Sequence, residues 1–438
     1  MSRERVTTLD AEVLVVGGGP AGAASAWFLA RAGVDVLLVD RARFPRDKPC
    51  AEYLSPQASR ILSEMGVLNA IEAAGAAQLS GMRVRAPNGR VILGEFASAH
   101  GFRGFRDHGL ALPRRRLDAL LLDASRDAGV RVLEEATVRD VVTDGAHRVE
   151  GLEIESASGR RTLRASLVVG ADGLRSVVAR RLRLARIGRF PRRVAVVAHY
   201  GGVEGMGAYG EMHVDAAGYV GLADVGHGQT NVAVVVPAGA SRTMGGDPSA
   251  FVDRWIAERP HLARRFGGAR RVTTARATGP FNSHARRAWV PGCALVGDAA
   301  DFFDPFTGEG IYAALRGGEL LTGYAFEAVR ATTGRRHDIA LAAYDRARRD
   351  AFRGKRLVER LVGTAVAFPS LFNRVANVLS ERRDMADLLV GVTGDFVPAR
   401  EVFRAGFLAR LLVALARPGT STVPGHGDPV PEASGFRA

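Results

Sequence analysis

The stretch VLVVGGGPAG, residues 13–22, decides the fold. Its first four residues are an unbroken apolar run, typical of a strand buried in a parallel sheet. The glycines that follow have the spacing Gly17-x-Gly19-x-x-Gly22. The first permits a sharp turn, the second lets a pyrophosphate approach the backbone, and the third allows a helix to pack against the strand. The stretch therefore predicts a strand, a phosphate-binding turn and a helix in succession.

The residues that follow complete a βαβ unit. Small residues over 23–32 predict a helix that ends at Gly33, and the apolar run 34–39 predicts a second strand that ends in an acid. An acid at that position binds the ribose hydroxyls of a dinucleotide. We therefore expect the adenosine half of a dinucleotide to contact Gly17, Gly19, Pro20, Ala21, Gly22, Asp40 and Arg41.

Two further strands end in acidic residues. The run VVGADGLRS, residues 168–176, places Asp172 at a strand end, where it and Ser176 either cap a helix or meet a ligand. The run LVGDAA, residues 295–300, places Asp298 at another strand end, where ligands bind in open α/β sheets. Soon after it, DPFTGEGI opens a helix whose free amides suit an anion such as a reduced flavin ring.

In this order, the three motifs resemble the FAD-binding fold of the class A flavin monooxygenase (aromatic hydroxylase) superfamily, which includes geranylgeranyl reductases and flavin halogenases. The resemblance covers roughly residues 11–330. It implies non-covalent FAD and transient NAD(P)H in one domain. It also implies FAD contacts at Arg114, Asp172, Gly173, Gly297, Asp298, Pro305, Gly308, Gly310 and Ile311, with Asp298 on the ribityl chain.

The expected fold is α/β, with a Rossmann-like FAD-binding domain of the glutathione-reductase type, an antiparallel substrate domain and a helical C-terminal segment. Alternating residues over 190–237 indicate the antiparallel sheet. Residues 163–169 and 290–296 each predict a single strand. The predicted FAD-binding domain comprises 1–80, 112–185 and 288–335; the substrate domain 81–111 and 186–287; the C-terminal helices 336–416; and a flexible tail 417–438.

The segment FPRDKPCAEYLSP, residues 44–56, resembles the Lys-x-Cys segment of the geranylgeranyl-reductase-like branch. It departs from that branch at 51–53, where small residues are usual. The branch's Tyr-x-Trp-x-x-Pro segment has no match at 218–224, and the Trp-x-Trp-x-Ile-Pro segment of halogenases is absent from the sequence. These departures favour a monooxygenase that hydroxylates or epoxidises a hydrophobic or aromatic small molecule. The alternatives are C=C reduction of a prenyl or polyketide chain and, without catalysis, an FAD-binding scaffold or electron-transfer partner.

The candidate catalytic residues are Cys50, Glu52, Tyr53 and His213. Resemblance places Cys50 near the flavin, although a small buried filler is the alternative. Glu52 and Tyr53 share its segment and could orient a substrate. If their sheet face lines the cavity, His199 or His213 could deprotonate a phenol. A metal site from these histidines and Glu211 is the competing reading, but we expect no metal because flavin supplies the redox chemistry.

Composition sets the remaining expectations. The 438 residues are 47% apolar and 24% charged, which excludes global disorder. The sequence has only two cysteines, which excludes a disulfide scaffold. Because it also shows no long apolar run and no signal peptide, we expect a cytoplasmic protein. The net charge of +14 comes from solvated arginines or reflects anionic partners. The sequence contains no nucleic-acid-binding motif, so we expect no nucleic-acid partner. The basic C-terminal helices either pack against the FAD-binding domain or make peripheral contact with a membrane. The sequence leaves open whether the protein is a monomer or a homodimer.

Overall fold

The computed structural model of the protein describes residues 9–97, 101–240 and 246–416; the predicted tail 417–438 lies outside them. The strands are β1 (Val13–Val16), β2 (Val36–Val39), β3 (Tyr53–Leu54), β4 (Ala77–Leu79), β5 (Gly81–Arg85), β6 (Val91–Glu95), β7 (Gly109–Ala111), β8 (Arg131–Leu133), β9 (Thr137–Thr143), β10 (Val149–Ser156), β11 (Gly159–Arg164), β12 (Leu167–Gly170), β13 (Ala185–Ile187), β14 (Arg193–Gly201), β15 (Tyr209–Asp215), β16 (Gly218–Asp224), β17 (Gln229–Pro237), β18 (Arg270–Arg271), β19 (Arg276–Thr278), β20 (Ser283–Ala285), β21 (Trp289–Val290), β22 (Cys293–Leu295) and β23 (Asp301–Phe302).

The helices supply the layers around these strands. They are α1 (Pro20–Arg31), α2 (Ala58–Glu64), α3 (Leu68–Ala73), α4 (Arg114–Asp127), α5 (Val177–Arg181), α6 (Pro248–Ala257), α7 (Pro260–Ala263), α8 (Gly310–Val329), α9 (Gly334–Ala365), α10 (Pro369–Glu381), α11 (Arg383–Thr393) and α12 (Ala405–Ala416).

A six-stranded sheet in the order β21-β22-β12-β1-β2-β8 carries the three motif-bearing strands. The pairs from β22 to β8 are parallel, and β1, β2 and β12 are fully buried. Because parallel strands point the same way, the acids that follow β2, β12 and β22 meet at one edge of the sheet. The predicted α/β architecture, with a parallel sheet and a separate antiparallel sheet, is confirmed.

The second large sheet runs β18-β14-β17-β16-β15-β5-β6, with β19 also paired to β14. Strands β14 to β17 are antiparallel, as expected, whereas β15 and β5 are parallel. One face packs against α10 and α11 through Met212, Val235 and Phe372. The other face packs against α6 through Val234 and Trp255.

Two of the predicted single strands are wrong. Residues 163–169 form two strands, because β11 pairs with β10 in one sheet and β12 pairs with β1 in another. Residues 290–296 contain a reversal, since β21 and β22 are antiparallel neighbours joined at Gly292, whose φ is +77°. In both places only two residues separate the consecutive strands, so the sequence pattern does not show the turn between them.

The small sheet β3-β7-β4 crosses a predicted domain boundary. Strands β3 and β4 fall in the predicted FAD-binding domain, and β7 falls in the predicted substrate domain. This sheet therefore ties the segment around Cys50 to both parts of the chain. No helix in the described ranges is both long enough and apolar enough to cross a membrane.

Candidate functional site

A cavity of about 610 Å³ lies between the strand ends of the parallel sheet and one face of the antiparallel sheet. Most residues predicted to contact FAD line it. They are Gly17, Gly19, Pro20, Ala21, Asp40, Arg41, Arg114, Asp172, Gly173, Asp298, Pro305, Gly308, Gly310 and Ile311. Three of the four predicted catalytic residues, Cys50, Glu52 and Tyr53, line it as well.

Two predicted contact residues, Gly22 and Gly297, are absent from the cavity wall. A Cβ on Gly22 would lie 1.7 Å from the carbonyl oxygen of Gly17, so this glycine permits the close packing of α1 on the turn. Gly297 has φ +61°, and a Cβ there would lie 2.8 Å from Ala21. Both glycines therefore shape the wall from behind rather than face the cavity.

The adenosine end of the cavity is organised by Asp40. Its Oδ2 accepts a hydrogen bond of 2.6 Å from the amide of Gly18, and its Oδ1 accepts one of 2.8 Å from Ala42. These bonds fix the carboxylate beside the glycine turn while each oxygen keeps acceptor capacity. The geometry suits the two hydroxyls of a ribose.

Two arginines face the turn where a pyrophosphate would approach. A Cβ on Gly19 would lie 3.6 Å from Nη2 of Arg114 and 3.8 Å from Nη2 of Arg46. Asp118 holds both guanidinium groups, through bonds of 2.7 and 2.8 Å to Arg114 and an ion pair of 2.9 Å to Arg46. Arg46 was not among the predicted FAD contacts. The feature that could have indicated it is its positive charge within the segment 44–56, which the sequence already singled out.

Asp298 provides the test of whether the cavity fits FAD. Its carboxylate lines the cavity and accepts no hydrogen bond from the described residues, and burial raises its pKa. Burying a carboxylate without hydrogen-bond donors is costly, and the hydroxyl groups of a ribityl chain are donors that would satisfy it. Lys48 also lines the cavity, and burial beside Arg114 lowers its pKa although Asp298 acts in the opposite direction. The residues present therefore fit FAD.

Asp172 serves the fold as well as the cavity. Its Oδ2 accepts a hydrogen bond of 2.6 Å from Val177 at the start of α5, and Ser176 accepts one of 2.9 Å from Ala179. Helix capping, one of the two roles considered for Asp172, is therefore present. The other oxygen, Oδ1, is buried and has no hydrogen-bond partner in the part of the chain that the structure describes, so one acceptor remains beside the cavity.

Glu52 is an anchor whose carboxylate contacts three other residues of the protein. Oε1 accepts a hydrogen bond of 2.8 Å from the amide of Arg114. Oε2 contacts Nε2 of His199 at 2.6 Å and accepts a bond of 2.9 Å from Asn231. The carboxylate of Glu52 therefore joins α4 to β14 and β17, and its role in orienting a substrate stays a prediction. Sequence reasoning missed Asn231, which has no local motif.

Cys50 and Tyr53 differ in their surroundings. The Cys50 sulfur accepts a hydrogen bond of 3.4 Å from the Glu52 amide and lies within hydrogen-bonding reach of the Arg114 guanidinium. Tyr53 is 7% exposed, stacks on Phe96 at 6.0 Å, and its hydroxyl has no hydrogen-bond partner among the described residues. Of the two, only Tyr53 therefore keeps a buried polar group without a partner.

His213 is not brought to the cavity, contrary to the prediction. It pairs with Glu211 at 2.8 Å and stacks on His261 at 5.2 Å, on the sheet face that α6 and α7 cover. Along β15 the cavity wall includes Gly210, Glu211 and Met212 but not His213, whose side chain points to the opposite face from that of Met212. Within the described ranges, no three His, Cys, Asp or Glu side chains are arranged to hold a metal ion.

The part of the cavity beyond the predicted FAD contacts is mainly apolar, although Arg175, Arg276 and Asn231 also line it. Its sheet face and floor consist mainly of hydrophobic side chains, and the hydroxyl of Tyr219 is already donated to Asp304 at 2.8 Å. The main apolar lining residues are Ala195, Val197, Met212, Ala233, Val235, Phe281 and Phe302. Such a surface accepts a hydrophobic molecule and excludes water.

Comparison with known proteins agrees with this geometry. The sequence is 29% identical over 399 residues to digeranylgeranylglycerophospholipid reductase 2 of Methanopyrus kandleri, covering 89% of this chain and 94% of that protein. It is 31% identical to menaquinone reductase of Mycobacterium tuberculosis, covering 71% of this chain and 75% of that protein.

Among solved structures, flavin-dependent brominase Bmp2 superposes with a TM-score of 0.77 at 21% identity, covering 92% of this chain and 98% of that one. This likeness shows a shared fold. The family described as FAD binding domain matches residues 10–360. The chain therefore belongs to the FAD binding domain family, and it is an FAD-dependent oxidoreductase of the superfamily that contains class A flavin monooxygenases and geranylgeranyl reductases.

Proposed function

We propose that the protein is an NAD(P)H-consuming monooxygenase that hydroxylates or epoxidises a hydrophobic or aromatic small molecule. One observation carries the proposal. A single cavity joins the predicted FAD contacts, at the parallel strand ends, to the apolar face of the antiparallel sheet. A flavin ring held by the first set of residues would therefore meet a substrate packed on the second.

The bound FAD would supply hydride acceptance and oxygen activation. Asp40 would hold the ribose, Arg46 and Arg114 the pyrophosphate, and Asp298 the ribityl hydroxyls. The amides in the first turn of α8, which begins at Gly310, would stabilise negative charge on the ring. These residues position the cofactor, and none of them has to transfer a proton.

The apolar floor favours oxygen transfer over other flavin reactions. On the cavity face of the antiparallel sheet, His199 and Asn231 are held by Glu52, and Tyr219 is held by Asp304. That face therefore offers the substrate few free acid or base groups. Oxygen transfer to an electron-rich ring or double bond needs a dry site more than it needs protein acid–base groups.

A second candidate is reduction of a C=C bond in a prenyl or polyketide chain. It is supported by the relatives whose names are digeranylgeranylglycerophospholipid reductase and menaquinone reductase and which match most of this chain. The same cavity would then carry hydride to carbon. The apolar floor accommodates an isoprenoid chain as readily as an aromatic ring.

Aerobic and anaerobic turnover separates the two reactions. The FAD-loaded protein is incubated with NADH or NADPH and with two probes, a long-chain alkylphenol and a geranylgeranyl lipid. A monooxygenase consumes O₂ with the probe and yields a product one oxygen atom heavier. Anaerobic turnover to a product two hydrogen atoms heavier would overturn the monooxygenase proposal in favour of the reductase.

We also propose peripheral membrane contact through an apolar stripe formed by C-terminal residues around α9 and α10 together with Phe190, which lies between β13 and β14. This contact would give a lipid-like substrate access to the cavity. We define the stripe as Phe190, Leu357, Leu361, Phe368 and Leu371, whose exposed fractions range from 44% to 60%. Phe190 and Phe368 lie 6.0 Å apart by ring centroids. Exposed arginines interrupt the stripe on α9, at positions 353 and 360, which suits an anionic lipid surface.

A further inference from the structure

Residues 304–309 lead directly into α8, and we call them the ring-facing segment. Two of them, Pro305 and Gly308, line the cavity beside Gly310 and Ile311 of α8, where the flavin ring is expected. Gly308 has φ +73°, so the chain turns sharply just before the helix begins. The position of the first turn of α8 relative to a bound ring therefore depends on what holds this segment.

The buried side chain of Asp304 holds the beginning of the ring-facing segment. Its Oδ1 accepts hydrogen bonds of 3.1 Å from the amide of Phe306 and of 2.8 Å from the hydroxyl of Tyr219. Its Oδ2 accepts one of 2.6 Å from Nη1 of Arg193. The first bond caps the short 3₁₀ turn Pro305–Thr307, whereas the other two come from the antiparallel sheet, since Arg193 lies in β14 and Tyr219 in β16. One carboxylate therefore joins the ring-facing segment to that sheet.

Arg193 extends this link to α9. Its Nη2 donates a hydrogen bond of 2.8 Å to the carbonyl oxygen of Gly363. Helix α9 packs closely at this point, because a Cβ on Gly363 would lie 2.9 Å from Cε1 of Phe303 and 3.6 Å from Cβ of Asp304. The side chains of Arg193 and Asp304 are 5% and 3% exposed, so water has little access to their ion pair. The ring-facing segment is thus held from two sides, by the antiparallel sheet and by α9.

Tyr219 gives this link a face in the cavity. Its ring lines the cavity and meets the ring of Phe306 edge-on, at a centroid distance of 5.0 Å and an angle of 83°. Its hydroxyl reaches Asp304 behind the wall. Neither Asp304 nor Arg193 lines the cavity, so both meet a bound cofactor only through the residues that they hold.

We propose that Asp304 and Arg193 are positioning residues that fix the ring-facing segment, and with it the first turn of α8, against the bound flavin ring. The amides of that turn stabilise the negative charge that the ring acquires on reduction, and this effect is confined to the end of a helix. A displaced segment therefore weakens it. The inference rests on the binding of FAD in the proposed site, but not on the choice between oxygenation and C=C reduction.

The test is the midpoint potential of the bound FAD at pH 7, which needs no substrate, in Asp304→Asn, Arg193→Gln and Tyr219→Phe. The first substitution removes a negative charge, the second removes a positive charge, and the third changes no charge. If these side chains acted through their charges alone, the potential would rise in Asp304→Asn and fall in Arg193→Gln. If they position the segment, the potential falls in all three variants, because each loses a contact that holds the first turn of α8 near the ring.

We expect the midpoint potential to fall by about 30 mV in Asp304→Asn and in Arg193→Gln, which corresponds to an about tenfold loss in the preference for reduced over oxidised FAD. Tyr219→Phe keeps the ion pair, so its shift should have the same sign and be smaller. All three variants should retain FAD, because the cavity residues Asp40, Arg114 and Asp298 are unchanged.

Asp345→Asn is the matched control. Asp345 is a buried acid with the same kinds of partner, since its Oδ1 accepts a hydrogen bond of 3.1 Å from the amide of Ala288 and its Oδ2 pairs with Arg349 at 3.0 Å. Its side chain is 2% exposed and does not line the cavity. This variant should keep the wild-type potential, and a fall as large as that of Asp304→Asn would overturn the positioning role.

Tyr219→Phe decides the matter even where a charge variant fails to fold. A potential that is unchanged or raised in folded, FAD-loaded Tyr219→Phe would overturn the positioning role alone. Shifts of opposite sign in the two charge variants would overturn it as well. A wild-type protein that takes up no FAD would overturn the proposed function together with it.

Discussion

Oε2 of Glu52 and Nε2 of His199 lie 2.6 Å apart, and this contact fastens the segment that carries Cys50 to the antiparallel sheet. Glu52 has φ +61° and is 2% exposed, so a strained, buried residue makes the junction. Its other oxygen holds the start of α4 through Arg114. The two halves of the cavity therefore meet at one carboxylate.

The first prediction concerns the pH dependence of this junction. Burial lowers the pKa of His199, but the hydrogen bond and charge of Glu52 outweigh burial and raise it above its usual 6.5. A raised pKa means that the stabilisation is complete below pH 6.5 and is lost as pH rises through the folded-state value. The melting temperature of the wild type should therefore fall, relative to that of His199→Gln, as pH increases from 6 to 9. Parallel curves for the two proteins would refute this role.

The second prediction concerns Glu211, whose spacing from His199 and His213 in the sequence also allowed a role as a metal ligand. Burial alone would raise its pKa, but hydrogen bonds and charges from His213 and Arg265 lower it to about 2. A lowered pKa contributes stability above pH 4.5 that is lost as pH falls towards 2. We expect Glu211→Gln to cost about 3 kcal/mol of unfolding free energy at pH 7 and much less near pH 3.

Urea unfolding at several pH values measures this difference. Glu258→Gln is the control, because Glu258 is 60% exposed and its contact with Arg259 is 3.6 Å. An exposed pair of this kind contributes about 0–1 kcal/mol. Equal losses in the two variants would contradict the assignment of a buried ion pair to Glu211.

The third prediction concerns Cys50. Its sulfur lies beside the Arg114 guanidinium and lines the cavity, so Cys50→Ser should leave FAD bound while changing kcat or KM for NAD(P)H oxidation. Cys293→Ser is the control for general effects of losing a thiol, since Cys293 is buried in β22 away from the cavity. Kinetics identical to the wild type would leave Cys50 as a packing residue.

The fourth prediction concerns the apolar stripe. Leu361→Asp with Phe368→Asp should abolish co-sedimentation with phosphatidylglycerol vesicles, because two exposed apolar contacts are lost and two negative charges are added. Ile339→Asp is the matched control; it is 56% exposed on the same helix, about 27 Å from Leu357 at 1.5 Å per residue. If the wild-type protein does not co-sediment with these vesicles, the proposed membrane contact is contradicted.

The cofactor half of the site was predictable because it depends on local sequence. The turn around Gly17 and the acids Asp40 and Asp298 sit at strand ends, and a parallel sheet brings such ends together whatever its loops do. Gly22 and Gly297 were recognised as motif residues, but only the packing shows that they support the wall from behind.

The substrate half was less predictable because it depends on which sheet face each strand turns inward. Along β15, the alternation was visible in the sequence, but the sequence did not show that His213 faces α7 rather than the cavity. Likewise, the partners of Glu52 come from Asn231 and His199, far away in sequence. Contacts of this kind leave no local pattern.

The central claim is tested most directly by FAD titration of wild type and Asp298→Ala, followed by visible absorption. The wild type should show the two flavin bands and bind FAD with a defined end point, whereas Asp298→Ala should be colourless after desalting because the ribityl chain loses its acceptor. Asp301→Ala, which breaks a 2.6 Å pair with Arg356 behind the wall, should stay yellow. A folded wild-type protein that takes up no FAD would contradict the account.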